Sequence, residues 1–211
     1  ASARKPPELR ADLRSKSGLS MALCSLAHTG RTYMVRNVIE VGENRYREDY
    51  GRYYEDFEIG DIYEHRPART ITQTDNIWFT LLTMNTHPLH FNDAYGEDTE
   101  FGECLVNSAL TLSVVTGMTV SDVSHKTIAN LGWNDIVMPN PVFHGDTLYA
   151  QSEVLDKRLS ESREGDGIVT IETTGYKQNG DIVMQVERSM LIPTREKGVP
   201  EEDVPTPNVE D

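Results

Sequence analysis

The densest group of chemically useful side chains lies in the stretch NTHPLHFND, residues 85–93, directly after the apolar run IWFTLL. It holds two histidines, His87 and His90, with two asparagines, an aspartate and a proline. Histidine is the side chain whose ordinary pKa suits proton transfer near neutral pH, and its polar neighbours can orient it. The stretch predicts either an acid–base site or a polar turn, because Pro88 and the residues around it are also typical of turns.

Other polar residues offer weaker alternatives. No cysteine or third histidine stands at a metal-ligand spacing from His87 and His90, so we expect no metal site. The His-Gly-Asp run at 144–146 could be an acid–base pair, but it favours a tight turn in which Gly145 supplies backbone freedom and the aspartate caps it. Asp93 lies within loop reach of His90 and could orient its ring.

Three elements must position the stretch. GDIYEHRPARTIT, residues 60–72, alternates weakly and predicts a strand. Thr72 and Asp75 form a T-x-x-D helix start that leads into NIWFTLLTM. CLVNSALTLSVVTGMTV, residues 104–120, is apolar nearly all round and predicts a helix that is buried on most sides.

The second half of the chain predicts antiparallel strands. Residues 142–160 read as a Gly-Asp turn before an extended segment, and residues 167–193 as a hairpin around Asn179-Gly180 that ends at Pro193. One nearly apolar helix followed by such strands indicates an α+β fold with a sheet curled around the helix.

Length and composition indicate one soluble domain with two extensions. The 211 residues are 37% hydrophobic and 26% charged, as in ordinary globular proteins. We assign residues 48–194 to the domain, 1–47 to an N-terminal extension without a sustained period, and 195–211 to an acidic, Pro-rich, disordered tail. The net charge of −14 disfavours nucleic acid and membrane surfaces as partners. Two cysteines without disulfide spacing and no long apolar run favour a cytoplasmic protein.

Three motifs in the right order resemble the MaoC-like dehydratases, which include the (R)-specific enoyl-CoA hydratases. The first is TQTDNIWFTLLTMNTHPLHFNDAYGEDTEFGECLVNSALTL, residues 72–112. PVFHGDTLYAQSEV, residues 141–154, resembles the family's Pro-x-x-x-Gly-Asp-x-Leu strand entry, and SREGDGIVTIETTGYKQNGDIVM, residues 162–184, its closing hairpin. The similarity covers roughly residues 50–194 and implies a hot-dog fold, an antiparallel sheet wrapped around a long central helix.

The resemblance assigns catalytic roles within the loop. His90 takes the place of the family's catalytic histidine, Asn85 stands where the family has a catalytic aspartate, and Met84 replaces a glycine. In the family the Asp/His pair holds and activates one water for addition to an enoyl double bond. Because a carboxamide does not accept a proton at neutral pH, Asn85 would position the water and His90 would transfer the proton.

The resemblance also implies substrate-binding residues. Ser108, after Asn107, falls on the glycine whose backbone N–H is expected to hold the thioester oxygen at the start of the central helix. His87 stands where the family has an asparagine. Arg66 and Arg69 are candidates for binding a substrate carboxylate or a CoA phosphate.

The implied activity is an acyl-CoA hydro-lyase that adds or removes water across the α,β-double bond of an enoyl-CoA. Mesaconyl-CoA is the leading substrate, since Asn-Thr-His-Pro-Leu-His resembles the mesaconyl-CoA hydratase (β-methylmalyl-CoA dehydratase) branch. We expect no metal or redox cofactor, with CoA entering as part of the substrate, and a homodimer or higher homo-oligomer. Two alternatives stay open: a hot-dog thioesterase using Glu103, and an acyl-CoA-binding subunit impaired by Asn85.

Overall fold

The structure, a computed structural model, describes residues 38–200 and residue 207. The elements in chain order are β1 (Val38–Gly42), β2 (Arg45–Glu48), β3 (Ile62–Thr70), α1 (Gln73–Thr83), α2 (Asp93–Glu97), α3 (Ser108–Met118), β4 (Ala129–Val137), β5 (Thr147–Leu159), β6 (Asp166–Lys177) and β7 (Ile182–Pro193). Single turns of 3-10 helix at Tyr54–Asp56 and Pro88–His90, and a π-helical turn at Val120–Ser124, accompany them.

The predicted domain boundaries stay predictions. Most of the N-terminal extension, residues 1–37, and most of the tail, residues 201–206 and 208–211, lie outside the described residues. Within the described part, β1 and β2 pair as an antiparallel hairpin. At the other end the Arg195 N–H donates to Glu55 at 3.0 Å and the Lys197 ammonium donates to Asp166 at 2.6 Å.

Strands β3 to β7 form one antiparallel sheet with the order β3-β5-β6-β7-β4, and α3 contacts β3, β5 and β6. The helix approaches the sheet closely, because a Cβ placed on Gly175 of β6 would lie 2.7 Å from Val115 Cγ2 of α3. This arrangement confirms the predicted α+β fold. None of the described helices is long and apolar enough to cross a membrane.

The largest apolar cluster brings α3 together with the sheet. Leu110 and Val115 of α3 are buried with Leu148 of β5 and with Met184 and Val186 of β7. Burying apolar surface stabilises a fold by about 25 cal/mol per Å², so the packing of these side chains stabilises the position of α3 on the sheet. The helix is less enclosed than predicted, since Ser108, Ala109, Ser113 and Gly117 are exposed.

Several predicted elements are confirmed. Helix α1 begins after Thr72, and β6 and β7 meet at the Asn179-Gly180 turn, where Gly180 has φ 89°. Helix α3 begins four residues later than the predicted 104, because residues 104–107 are extended and Leu105 bridges Phe143.

Strand β4 was not predicted from the sequence. Its segment ANLGWNDIV lacks clean alternation, and its pairing with β7 shifts register twice, once near Gly132 and once near Asp135, whose φ is 48°. A bulged strand loses the two-residue period on which sequence prediction depends.

The two tryptophans lie near the surface of the described chain. Trp78 on α1 is 67% exposed. Trp133 on β4 is 38% exposed, and the Arg188 guanidinium lies 5.6 Å from the centroid of its ring. Trp133 therefore makes a cation–π contact on the sheet rather than filling the core.

Candidate active site

Helix α1 delivers the loop that carries His90. The helix begins with a capping box, in which the Asp75 N–H donates to Thr72 Oγ1 at 3.3 Å and the Thr72 N–H donates to Asp75 Oδ2 at 2.9 Å. It ends at Met84, a left-handed residue with φ 56°, after which the Asn85 N–H donates to Thr80 O at 3.1 Å. Met84 thus occupies a conformation that favours glycine, and the reversal directs the chain into the loop.

The capping carboxylate makes a testable contribution to stability. The Thr72 backbone N–H, then the Thr72 hydroxyl and then the ion pair with Arg69, hold the pKa of Asp75 below its ordinary value. A depressed carboxyl pKa gives stability that is present above the unfolded-state pKa and lost as pH falls through the native pKa. We expect Asp75→Asn to lower the free energy of unfolding by about 1 kcal/mol at pH 7 and by much less at pH 3, measured by urea unfolding.

Glu64→Gln is the control for Asp75→Asn, since the exposed Glu64 side chain makes only a 3.4 Å contact with Arg66. Its effect should stay within about 0.5 kcal/mol at both pH values. An equal loss for Asp75→Asn at pH 7 and pH 3 would show that the charge of this carboxylate does not contribute.

His90 is held in one tautomer by the backbone. It lies at the end of the 3-10 turn, half-buried, with Nδ1 2.9 Å from Leu105 O. A carbonyl oxygen only accepts, so Nδ1 carries the proton and Nε2 of the neutral ring presents a lone pair. A backbone bond from the Leu105 N–H to Leu89 O at 3.1 Å fixes the two segments together. His90 can therefore act as a general base through Nε2.

Asn85 and His87 lie in the same loop and hold its shape. Asn85 Oδ1 accepts the His87 N–H at 3.1 Å, and His87 Nδ1 accepts the Leu89 N–H at 3.2 Å. The rings of His87 and His90 are 6.0 Å apart between centroids. Asn85 Nδ2 makes no hydrogen bond with any residue of the described chain, so it can donate to a water.

The start of α3 presents a free donor beside this loop. Asn107 caps the helix, its Oδ1 accepting the Ala109 N–H at 2.9 Å. Ser108 is exposed, and its N–H donates no hydrogen bond among the described residues. It lines a cavity of about 290 Å³ that also contacts Leu105 and Thr111. A free N–H at the positive end of a helix can stabilise a developing oxyanion.

Sequence reasoning missed Asn76, which connects the two parts of the site. This α1 residue is 0% exposed, and its amide contacts the backbone of His90, Leu105 and Asn107. The available signal was helical spacing, because Asn76 and Thr80 are polar residues four apart and both are buried. A polar side chain on the inward face of a helix requires partners.

Arg66 and Arg69 lie apart from the loop histidine. Both line a cavity of about 570 Å³ beside Ser113 and Gly117 of α3. Arg69 is ion-paired with Asp75, and Arg66 is 3.4 Å from Glu64. Neither arginine contacts His90 or Ser108 within the described chain.

The remaining polar candidates have structural partners. At the 144–146 turn, Gly145 has φ 94° and Asp146 Oδ2 accepts the Phe143 N–H at 2.9 Å, which confirms the predicted tight turn. The suggestion that Asp93 orients His90 was wrong, because its carboxylate accepts from Gln73 and from the Cys104 thiol instead. Burial, with Asp93 beside it, raises the pKa of Cys104 to about 11.

A second histidine network is buried in the sheet. His65 Nδ1 is 2.9 Å from Asp122 Oδ1, and its Nε2 is 2.7 Å from Ser152 Oγ, which also contacts Thr173 Oγ1 at 2.8 Å. The Asp122–His65–Ser152 chain of contacts resembles a nucleophilic triad. Ser152 is 0% exposed, so no substrate reaches its hydroxyl. The network ties β3, β5 and β6 to the π-helical turn and has a structural role.

A five-stranded antiparallel sheet around α3, a loop histidine with a free Nε2 and an unpaired N–H at the helix start together define a hot-dog protein of the MaoC-like class. The family model described as Mesaconyl-CoA hydratase matches residues 32–204. The chain therefore belongs to the mesaconyl-CoA hydratase family.

Known proteins resemble the chain over three quarters of its length. The mesaconyl-CoA hydratase of Cereibacter sphaeroides is 31% identical over 160 residues, which cover 75% of this chain and 45% of the relative. A MaoC domain dehydratase structure from Chloroflexus aurantiacus has a TM-score of 0.67 at 28% identity, covering 76% of this chain and 46% of that one. The chain thus spans about half the length of these relatives.

The hot-dog fold is matched by a Mycobacterium tuberculosis protein described as having a double hot-dog fold. The TM-score is 0.64 at 19% identity, and the match covers 76% of this chain and 53% of that one. At this identity the likeness shows the fold alone, and it supports the architecture described above.

Proposed function

We propose that this chain carries the hydro-lyase site of an enoyl-CoA hydratase that reversibly adds water across an α,β-double bond. The observation that carries the proposal is the bond from His90 Nδ1–H to Leu105 O, which leaves Nε2 of His90 free. Leu105, the acceptor, precedes Ser108 and its unpaired N–H by three residues in the chain. A base and an oxyanion donor are thereby held by one short segment, as acid–base addition to a thioester requires.

The hydration step follows from these positions. Water is held by a hydrogen bond from Asn85 Nδ2, and its oxygen attacks the β-carbon as His90 Nε2 takes one of its protons. The double-bond electrons move to the α-carbon and thioester carbonyl, giving an enolate whose oxygen accepts the Ser108 N–H. The His90 imidazolium then returns the proton to the α-carbon. Water, substrate and His90 carry every proton and electron pair, so this route requires no metal or redox cofactor.

For the substrate we propose a branched dicarboxylic enoyl-CoA such as mesaconyl-CoA. The name of the family and of the Cereibacter relative supports this choice. Arg66 and Arg69 line the larger cavity, where their guanidinium groups can bind a carboxylate or a CoA phosphate. His87, with its Nδ1 occupied by the Leu89 N–H, has Nε2–H as a donor toward the substrate.

A paired assay tests the proposed function. The full chain is incubated with mesaconyl-CoA and with crotonyl-CoA while the enoyl absorbance and the release of free thiol are followed together. Loss of absorbance without thiol release is the expected result. Thiol release without hydration would establish a thioesterase instead, with Glu103 as its exposed carboxylate, and no change in either signal would indicate a binding subunit.

For the assembly we propose a homodimer. Strand β4 forms an edge of the sheet, and Leu131, Ile136 and Val137 on it are exposed. An open edge with apolar side chains is a pairing surface, and a second copy would cover it. Sedimentation equilibrium of the full chain should give about twice the mass of 23.8 kDa, and a single-chain mass would contradict the proposal.

A further inference from the structure

The carboxamide of Asn76 is the only side chain in the described part of the chain that hydrogen-bonds both the His90 segment and the start of α3. Its Nδ2 lies 2.8 Å from His90 O and 3.0 Å from Leu105 O. Its Oδ1 accepts the Asn107 N–H at 2.9 Å. One buried side chain therefore contacts the backbone of His90, the Leu105 carbonyl that accepts from the His90 ring, and the backbone of Asn107, the residue that caps α3.

The orientation of this amide is determined by its partners. Two carbonyl oxygens face Nδ2, and a backbone N–H faces Oδ1. Rotating the amide by half a turn would set its oxygen against both carbonyls and its NH₂ against an N–H, and all three bonds would be lost. His144 Nε2 also lies 3.1 Å from Nδ2, but the two N–H groups of the amide are already directed at the two carbonyl oxygens. Only an amide supplies donors on one side and an acceptor on the other.

Leu105 O is the atom through which Asn76 acts on the base. It accepts from Asn76 Nδ2 and from His90 Nδ1. Because the acceptor at Nδ1 decides which ring nitrogen carries the proton, holding this carbonyl in place keeps the lone pair on Nε2. The same side chain fixes Asn107, and with it the Ser108 N–H at the helix start.

We propose that Asn76 is a positioning residue that sets the tautomer of His90 and its distance from the oxyanion donor of α3. The role in turnover rests on the proposed hydro-lyase function, whereas the role in the tautomer does not. Asn76 itself touches no reacting atom. Its removal should therefore lower kcat through a misplaced base, with a smaller change in KM.

Two variants of nearly the same size as Asn76 test its hydrogen bonds, one by changing the donor side alone and the other by removing every bond. Asn76→Asp keeps an acceptor for the Asn107 N–H and replaces the donor that faces the carbonyls of His90 and Leu105. Asn76→Leu removes all the bonds. Thr80→Val is the matched control, because Thr80 is buried on the same helix and its hydroxyl donates only to Ile77 O within that helix.

The first measurement is the ¹⁵N spectrum of the His90 imidazole in the full chain without substrate, at about pH 8.5, where an ordinary imidazole is neutral. The wild type should show the Nδ1–H tautomer, and both Asn76 variants should show a mixture with Nε2–H. Thr80→Val should match the wild type even where it lowers the unfolding temperature. A wild-type ring in the Nε2–H tautomer overturns the proposal without any variant.

The second measurement is steady-state hydration of mesaconyl-CoA. We expect kcat to fall about 10–10²-fold in both Asn76 variants, with KM changing less than about threefold, and no comparable loss in Thr80→Val. Variants with unchanged tautomer and kcat overturn the positioning role. If the wild type hydrates neither substrate while the Asn76 variants still change the His90 tautomer, the proposed function is refuted and the positioning role stands.

Discussion

Replacing His90 with alanine is expected to lower kcat for hydration by about 10²–10⁴-fold, the usual contribution of a general acid–base group. The fold should remain, because the ring is half-buried at the end of a 3-10 turn and is absent from the main apolar clusters. Enoyl absorbance measures the loss, and circular dichroism with thermal unfolding measures the fold.

His90→Asn tests the role of His90 as a base separately from its hydrogen bond to Leu105 O. Its side-chain amide can still donate to Leu105 O, which His90 Nδ1 contacts at 2.9 Å, but it has no group that accepts a proton at neutral pH. We expect this variant to be as slow as His90→Ala while unfolding closer to the wild-type temperature. Substantial activity in His90→Asn would show that the proton goes elsewhere and would refute the assignment of this loop.

Asn85→Ala should lower kcat by about 10²-fold, as expected when the attacking water is no longer oriented. The amide Nδ2 is the proposed donor to that water, and it has no other partner within the described residues. The variant also removes the acceptor for the His87 N–H at 3.1 Å, so a local change in the loop accompanies the loss. Initial rates with saturating mesaconyl-CoA give the measurement.

Asn85→Asp is the matched comparison, since a carboxylate keeps the acceptor for the His87 N–H and accepts a proton from water where the carboxamide cannot. We expect it to retain kcat within about tenfold of the wild type. If Asn85→Ala keeps the wild-type kcat, the water is positioned by another group. If Asn85→Asp is as slow as Asn85→Ala, an amide donor at this position is required, and the wild-type Asn85 is a functional residue rather than an impaired aspartate.

Much of the secondary structure that positions the site could be predicted from local sequence patterns. The capping box of Thr72 and Asp75 and the turn at Asn179-Gly180 depend on hydrogen bonds within a few residues, so the sequence contains their causes. Strand β7 ends at Pro193 because proline has no backbone N–H with which to continue the pairing. The apolar run of α3 also identified the central helix, because a segment with so many apolar side chains must pack against other elements.

The boundaries and irregular strands could not be predicted in this way. Residues 104–107 are apolar enough for a helix, but Leu105 pairs with Phe143 and with Leu89, and those partners are distant in sequence. Strand β4 depends on β7 through two register shifts. Tertiary pairing overrides local propensity at such segments.

The sequence by itself determined which side chains are available: a histidine, two asparagines and a serine close to a helix start, in an order that resembles one family. Only the tertiary structure decided how they act. The proton of His90 is placed on Nδ1 by a carbonyl fifteen residues away, and that carbonyl is held by Asn76 from another helix. A tautomer depends on the acceptor that meets the ring, and that acceptor is brought there by the packing of α1, the loop and α3.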